Sequence, residues 1–246
     1  NQWGLERYDW YLTCRRMNML PIPDEAPVTE VGLDLNDNSL YPEQNEFIAL
    51  LDFPRNSEKE LREMQIQALE ETQTKYIALN GSYSLKAIRK IYRKTAIYFP
   101  AFLETFGFPI CECLACGAKI FTAHPRWCSA HWRERFEIKP GIYNGRLSNN
   151  FEIYGNDINR LKKLIKQAKI EFNPDQVRHR FLAMDPDLYY GNKKQLHKFL
   201  ADIGTGKING QTHNQRDDSE IINKYVNTVD FYKYKDFSDC IFDNYI

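Results

Sequence analysis

CLACGAKIFTAHPRWCSAHWRERF, residues 113–136, carries Cys113, Cys116, Cys128 and His131 as a Cys-x2-Cys pair, eleven intervening residues and a Cys-x2-His pair. Zinc favours four tetrahedral ligands drawn from thiolate and imidazole, and two chelating pairs joined by a short loop supply that set. In each pair the two-residue gap allows one tight turn, so both ligands can meet one ion. Gly117 follows Cys116 directly, where a knuckle turn needs a positive φ. Ile120 and Phe121 offer the loop an apolar floor, and Trp127 and Trp132 bracket the second pair. The spacing therefore predicts that Cys113, Cys116, Cys128 and His131 hold a zinc, in a module spanning 109–140. Four protein ligands close the shell, so the ion would staple rather than catalyse.

The same residues, CLACGAKIF…RWCSAH, resemble short treble-clef-like zinc fingers. Those are written Cys-x2-Cys-Gly-x2-[Phe/Ile], a basic loop, then an aromatic residue and Cys-Ser-x2-Cys. The resemblance maps Cys113, Cys116 and Cys128 onto ligand positions and Gly117, Trp127 and Ser129 onto supporting ones. It departs at His131, where such fingers more often have Cys. It spans the 24 residues quoted, and implies the association with nucleic acid that such fingers share. Cys111 and His124 read as bystanders, and Cys14 and Cys240 as core or interface thiols. Four of the six cysteines fall within 111–128. That clustering argues for a reducing, intracellular compartment (cytoplasm, nucleus or organelle matrix) over a secreted disulfide scaffold.

Charge is distributed unevenly around a net value of zero. Residues 1–85 carry a balance of −8, residues 86–200 of +11 and residues 201–246 of −3. A basic middle between acidic flanks points to a polyanion or an acidic protein as partner. Lys119, Arg126, Arg133 and Arg135 lie in or beside the knuckle, and Lys162, Lys163, Lys166 and Lys169 crowd one later helix. These eight are the candidate nucleic-acid contacts, since clustered Lys and Arg neutralise phosphate. No stretch reaches the ~18–20 apolar residues a membrane span needs. The chain opens on Asn rather than Met, which leaves room for a preceding segment.

Along the chain, helical periodicity dominates. A first helix is expected within 1–19, then an arm from Leu20 to Asn56 punctuated by five prolines, with EFIALLDF (46–53) as a strand or one short turn. SEKELREMQIQALEETQTKYIAL (57–79) reads as one helix, opened by a Ser57/Glu60 capping box and stopped at Asn80-Gly81. Ser84 caps a helix through Tyr92, and PAFLETFG (100–107) offers another; the gap between them is too long for a helix-turn-helix. Residues 155–172 form an amphipathic helix, Asn173-Pro174 opens one through Phe181, and 193–203 another, broken by GTGKING. The last segment is acidic and aromatic.

These readings predict a mainly α protein in five parts. They are an N-terminal helix and irregular arm (1–56), a helical segment (57–108), the zinc module (109–140), a basic helical segment (141–203) and an acidic aromatic tail (204–246). The expected function is a non-catalytic zinc-binding protein that binds DNA or structured RNA within a nucleoprotein assembly, alongside other protein subunits and with no small-molecule substrate. The alternative is a structural accessory subunit of a large complex, an organellar ribosomal or respiratory one among them. A metal-dependent nuclease ranks last. His179, His197 and His213 are isolated, and GTGKING lacks the spacing and the Ser/Thr of a phosphate loop.

Overall fold

A computed structural model describes residues 10–14, 28–101, 107–124, 131–139 and 142–208. Within it lie β1 (Tyr11–Thr13), β2 (Val28–Glu30), β3 (Ile48–Leu51), α1 (Lys59–Glu71), β4 (Lys75–Ala78), α2 (Leu85–Tyr92) and β5 (Ile97–Phe99). There follow α3 (Phe108–Ala115), β6 (Lys119–Thr122), β7 (Trp132–Lys139), β8 (Ile142–Leu147) and β9 (Phe151–Ile153). The last described elements are α4 (Ile158–Ile170), α5 (Pro174–Met184), α6 (Pro186–Tyr189) and α7 (Lys193–Gly204). Among the described residues no helix is long and apolar enough to cross a membrane.

The chain divides into two units, one of residues 1–32, 134–146 and 192–246, the other of 33–133 and 147–191. In the first unit β1 and β2 pair in parallel, Tyr11 opposite Val28, and Trp10 donates its indole N–H to Thr29 Oγ1 at 2.9 Å. The helix expected over 1–19 is thus a strand at Tyr11–Thr13; residues 1–9 and 15–19 lie outside the described residues. α7 packs beside β2, and Asn192 caps it by accepting from the Gln195 amide at 3.0 Å.

The second unit is an α/β domain, and the expectation of a mainly α protein is corrected by it. Five strands form one sheet in the order β4-β3-β5-β6-β9, every neighbouring pair parallel. Parallel neighbours need a crossover between them, and α1, α2 and α3 supply the first three. α1 and α4 cover one face, while α2, α3 and α5 pack together on the other. With both faces covered, each central strand is a short apolar run without alternation. Ala49, Leu51, Ile97, Phe99 and Phe121 point to α1 and α4, meeting Leu69, Leu161 and Ile165. Tyr98, between Ile97 and Phe99, lies on the opposite face and packs its ring 6.4 Å from that of Tyr92 on α2. Each Leu, Ile or Phe buried here contributes roughly 1.5–3 kcal/mol, before the entropy of ordering it is subtracted.

Local chemistry explains where elements begin and end. Ser84 accepts from the Ala87 amide at 3.3 Å and opens α2, as its position predicts. Asp157 accepts from the Asn159 and Arg160 amides and opens α4; Asn173 does the same for α5 through the Gln176 amide. The Ser57/Glu60 box does not form: Asn56–Glu58 is a 3-10 turn, and α1 starts at Lys59 without a side-chain cap. α1 also ends at Glu71 rather than running on, because Thr72 turns back to the Ala68 carbonyl (2.7 Å) and Gln73 takes a φ of 50°. Residues 75–78 then enter the sheet beside β3.

The predicted zinc module dissolves into this domain. Cys113 lies in the last turn of α3, and Cys116 is its C-cap. The Ala118 amide donates to the Cys113 carbonyl (2.9 Å) and the Gly117 amide to that of Leu114 (3.0 Å). Those two bonds, with Gly117 at φ 85°, are a Schellman helix end. The Cys-x2-Cys-Gly signature is therefore a helix stop that feeds β6, not a knuckle between hairpin strands. β6 continues into the middle of the sheet, between β5 and β9.

Candidate ligand site at the carboxyl edge of the sheet

Because all five strands run the same way, their carboxyl ends and the starts of the following helices gather on one edge. β4 lies on one side of β3 and β5 on the other. The connection leaving β3 leads to α1 on one face and that leaving β5 to α3 on the other, which defines a crevice outside the ends of β3 and β5. Open α/β sheets take their ligands at such a reversal of strand order.

Asp52, directly after β3, occupies that position and is 8% exposed. Its amide donates to the Phe99 carbonyl at 3.0 Å, and its Oδ2 accepts from the Ala101 amide at 3.3 Å. The carboxylate therefore ties the end of β3 to the loop leaving β5. Arg62, one turn into α1, donates from Nη1 to the Asp52 carbonyl. Burial lowers the Arg62 pKa, opposed by the nearby Asp52 charge. Phe53 and Tyr83, in the loops after β3 and β4, meet edge to face with ring centres 5.9 Å apart. Tyr83 remains 38% exposed, so this aromatic pair opens to solvent beside the crevice.

Farther along the edge, the His124 amide donates to Thr122 Oγ1 at 3.0 Å, which turns the chain as it leaves β6. Tyr154, after β9, receives a hydrogen bond from Gln65 Nε2 at 2.7 Å. Burial pushes the Tyr154 phenol above its ordinary range, with the Gln65 bond opposing.

The helix starts on this edge differ in one respect. Side chains cap α2 and α4, whereas α1 and α3 carry no side-chain cap. α5, α6 and α7 are capped as well. α1 and α3 are the helices that follow β3 and β5, so the two starts without a cap flank the crevice. α1 has Glu60 in its first turn, while α3 has no acidic residue there. An uncapped helix start presents backbone N–H groups and the positive end of the macrodipole, which favour an anion. α3 is thus the less acidic start, with the Phe108 and Ile110 amides as its donors, since Pro109 between them has none.

The residues expected to bind metal are placed otherwise. Cys113 and Cys116 are fully buried. Burial pushes the Cys116 thiol up to about 12, Glu112 adding to the shift and Arg178, Arg93 and Arg89 opposing it. His131 is buried with its ring 5.2 Å from that of Phe151; Cys128 lies outside the described residues. Among the described residues no three His, Cys, Asp or Glu side chains are grouped to hold a metal ion.

The expected phosphate contacts are scattered. Lys119 pairs with Glu152 at 2.9 Å across β6 and β9. Lys162 pairs with Glu71 at 2.8 Å, and Lys169 donates to the Thr72 and Gln73 carbonyls at 2.9 and 3.1 Å. Both therefore bind α4 to the end of α1. Lys163, Lys166 and Arg133 are exposed. Arg135 lies in β7, and Arg126 falls outside the described residues. Sequence reasoning passed over Asp52, Phe53, Tyr83 and the start of α3. The available signal was a polar residue closing the apolar run IALL just before a helix.

No protein-family model matches the chain, and no curated protein matches it. Among solved structures it is similar to the C-terminal domain of the group 1 glycosyl transferase LpcC from Francisella tularensis. The TM-score is 0.42 at 16% identity, covering 63% of this chain and 98% of that one. It is also similar to the pneumococcal O-GlcNAc transferase GtfA, solved with UDP and GlcNAc. Here the TM-score is 0.47 at 14% identity, covering 83% of this chain and 46% of that one. The chain thus spans about half the length of GtfA. Likenesses at this level assign no activity. The expected treble-clef-like finger is corrected by the parallel sheet and by the buried helix end at Cys113–Cys116, and the non-catalytic nucleic-acid-binding role read from that finger falls with it.

Proposed function

We propose that residues 33–133 and 147–191 form the ligand-binding domain of an enzyme that takes a phosphate-bearing ligand of the nucleotide class at the carboxyl edge of the sheet. The observation that carries this reading is the pairing of a strand-order reversal at β3/β5 with the uncapped start of α3 beside it. Phosphate would rest on the first turn of α3, where the Phe108 and Ile110 amides supply donors, Pro109 between them having none, and the helix dipole favours negative charge. Exposed Tyr83, held edge to face by half-buried Phe53, supplies an aromatic ring within one loop of the crevice, suited to stacking a base. Asp52 would act as a positioning residue, holding the loop after β5 against β3.

Calorimetric titration of the full chain with UDP, ADP, GDP and uridine tests the reading. UDP is included because GtfA was solved with it. At least one diphosphate is expected to bind, with uridine at least tenfold weaker than UDP if uracil is the base. Tyr83→Ala should weaken the diphosphate several-fold while leaving the melting temperature nearly unchanged, because Tyr83 is substantially exposed. Absence of binding by all three diphosphates at millimolar concentration overturns the proposal. Where UDP is the diphosphate that binds, equal affinity for UDP and uridine does the same.

A further inference from the structure

The opposite, amino-terminal edge of the same domain holds a cavity of about 270 Å³. Its apolar wall includes Phe47, before β3, Ile97 at the start of β5, and Phe172 and Val177 around the α4–α5 turn. Phe47 and Phe172 meet edge to face with ring centres 5.4 Å apart. The shape is held by contacts of its own lining. Gly117 lies against α5 so closely that a Cβ there would come within 2.6 Å of Pro174. Asn173 is committed to capping α5.

Three charged groups line this cavity, and two are already engaged. Lys119 pairs with Glu152 at 2.9 Å, and Glu171 accepts from Gln167 Nε2 at 2.9 Å. Arg180 makes no hydrogen bond or ion pair among the described residues, and neither does the side chain of Gln176. An apolar wall facing one uncommitted guanidinium and one uncommitted amide suits a flat apolar body bearing a carboxylate, which Arg can bind in bidentate fashion. The volume falls just under the ~300 Å³ at which drug-sized pockets begin, so the ligand has one or two rings.

We infer that this cavity is a second binding site, for a small aromatic carboxylate, distinct from the crevice proposed for the nucleotide. Its lining comes from the starts of β5 and β6, whereas the crevice lies beyond strand ends, so the two sites bear on opposite edges of the same strands.

Amide chemical-shift titration of the full chain with benzoate and indole-3-acetate tests the inference, with benzylamine as the cationic counterpart. Saturable shifts are expected at Ile97, Gly117, Phe172 and Gln176 for at least one carboxylate, and not for benzylamine. Arg180→Gln changes an exposed side chain and should weaken carboxylate binding at least tenfold with the fold intact. No saturable shift by 10 mM (about the weakest affinity worth calling a site on the affinity scale) overturns the inference. Unchanged binding by Arg180→Gln, or benzylamine binding as well as benzoate, does the same.

Discussion

Replacing Gly117 by alanine distinguishes a helix stop packed against α5 from a flexible knuckle residue. Gly117 has φ 85°, and a Cβ built there meets Pro174 Cβ and carbonyl oxygen at 2.6 Å and its Cα at 2.8 Å. Left-handed backbone costs an L-residue roughly 1–2 kcal/mol, and overpacking a filled interior adds about 1–3 kcal/mol. The sum is roughly 2–5 kcal/mol. At about 2–4 °C per kcal/mol for a chain of this size, melting should fall by roughly 4–20 °C. Gly81 is the control, with φ 72° and nothing within 4 Å of a methyl added there. Gly81→Ala carries only the backbone cost, roughly 1–2 kcal/mol, and so roughly 2–8 °C. Thermal and urea unfolding of the two variants, followed by circular dichroism, isolates the Pro174 contact as their difference. Pro174→Gly in the Gly117→Ala background should recover part of the loss, because the Pro174 backbone still stands in the way. Equal destabilisation by Gly117→Ala and Gly81→Ala would refute the docking of α5 on the α3–β6 turn.

Arg178 is 6% exposed, donates to the Leu40 and Ala115 carbonyls and to Asn36 Oδ1, and lies 4.3 Å over the Tyr41 ring. Arg178→Met should cost roughly 3 kcal/mol in urea unfolding by orphaning those acceptors, and Arg178→Lys should not rescue it, since one ammonium cannot reproduce the two-nitrogen fork. Lys169→Met should cost roughly 1 kcal/mol by releasing the Thr72 and Gln73 carbonyls, whereas exposed Lys166→Met should stay within about 0.5 kcal/mol of the parent. The Cys116 thiol is raised from 9.0 to about 12 in the folded chain. Unfolded chains therefore release its proton first, and its contribution to stability is present below pH 9 and declines from there toward pH 12. Denaturation midpoints across that range should fall less steeply for Cys116→Ala than for the parent.

What could be read in advance was local. α2, α4, α5 and α7 announce themselves through Ser84, the stripe from Ile158, Asn173 and the 193–203 pattern, because amphipathic period and caps are properties of one segment. The sheet was hidden for a physical reason. β3, β5 and β6 are each three or four residues long and covered on both faces, so they show neither alternation nor length. β4 masqueraded as the end of α1, because Tyr76 continues the apolar stripe across the turn that Thr72 makes. The legible signal was their recurrence: apolar runs at 48–51 and 97–99 and the pair Ile120-Phe121, separated by helical stretches, the pattern of parallel βαβ units. At Cys113–Gly117 two different structures share one spelling. A Schellman end needs only a left-handed residue at its C′ position, and Cys-x2-Cys-Gly provides it as well as any other helix end would. The candidate site depends on strand order, which no single segment encodes.

Hydrogen exchange of the full chain in the presence and absence of EDTA tests most directly whether residues 113–122 are the turn into a central strand. The Lys119 and Ile120 amides are bonded to the Ala96 and Asn150 carbonyls at 3.0 and 2.9 Å, directly before β5 and β9, the two strand neighbours of β6. Both amides are predicted to rank among the slowest to exchange, with rates unchanged by the chelator. Fast exchange at Lys119 and Ile120, or protection that vanishes with EDTA, would contradict the parallel sheet through β6 and return the segment to a metal-held loop.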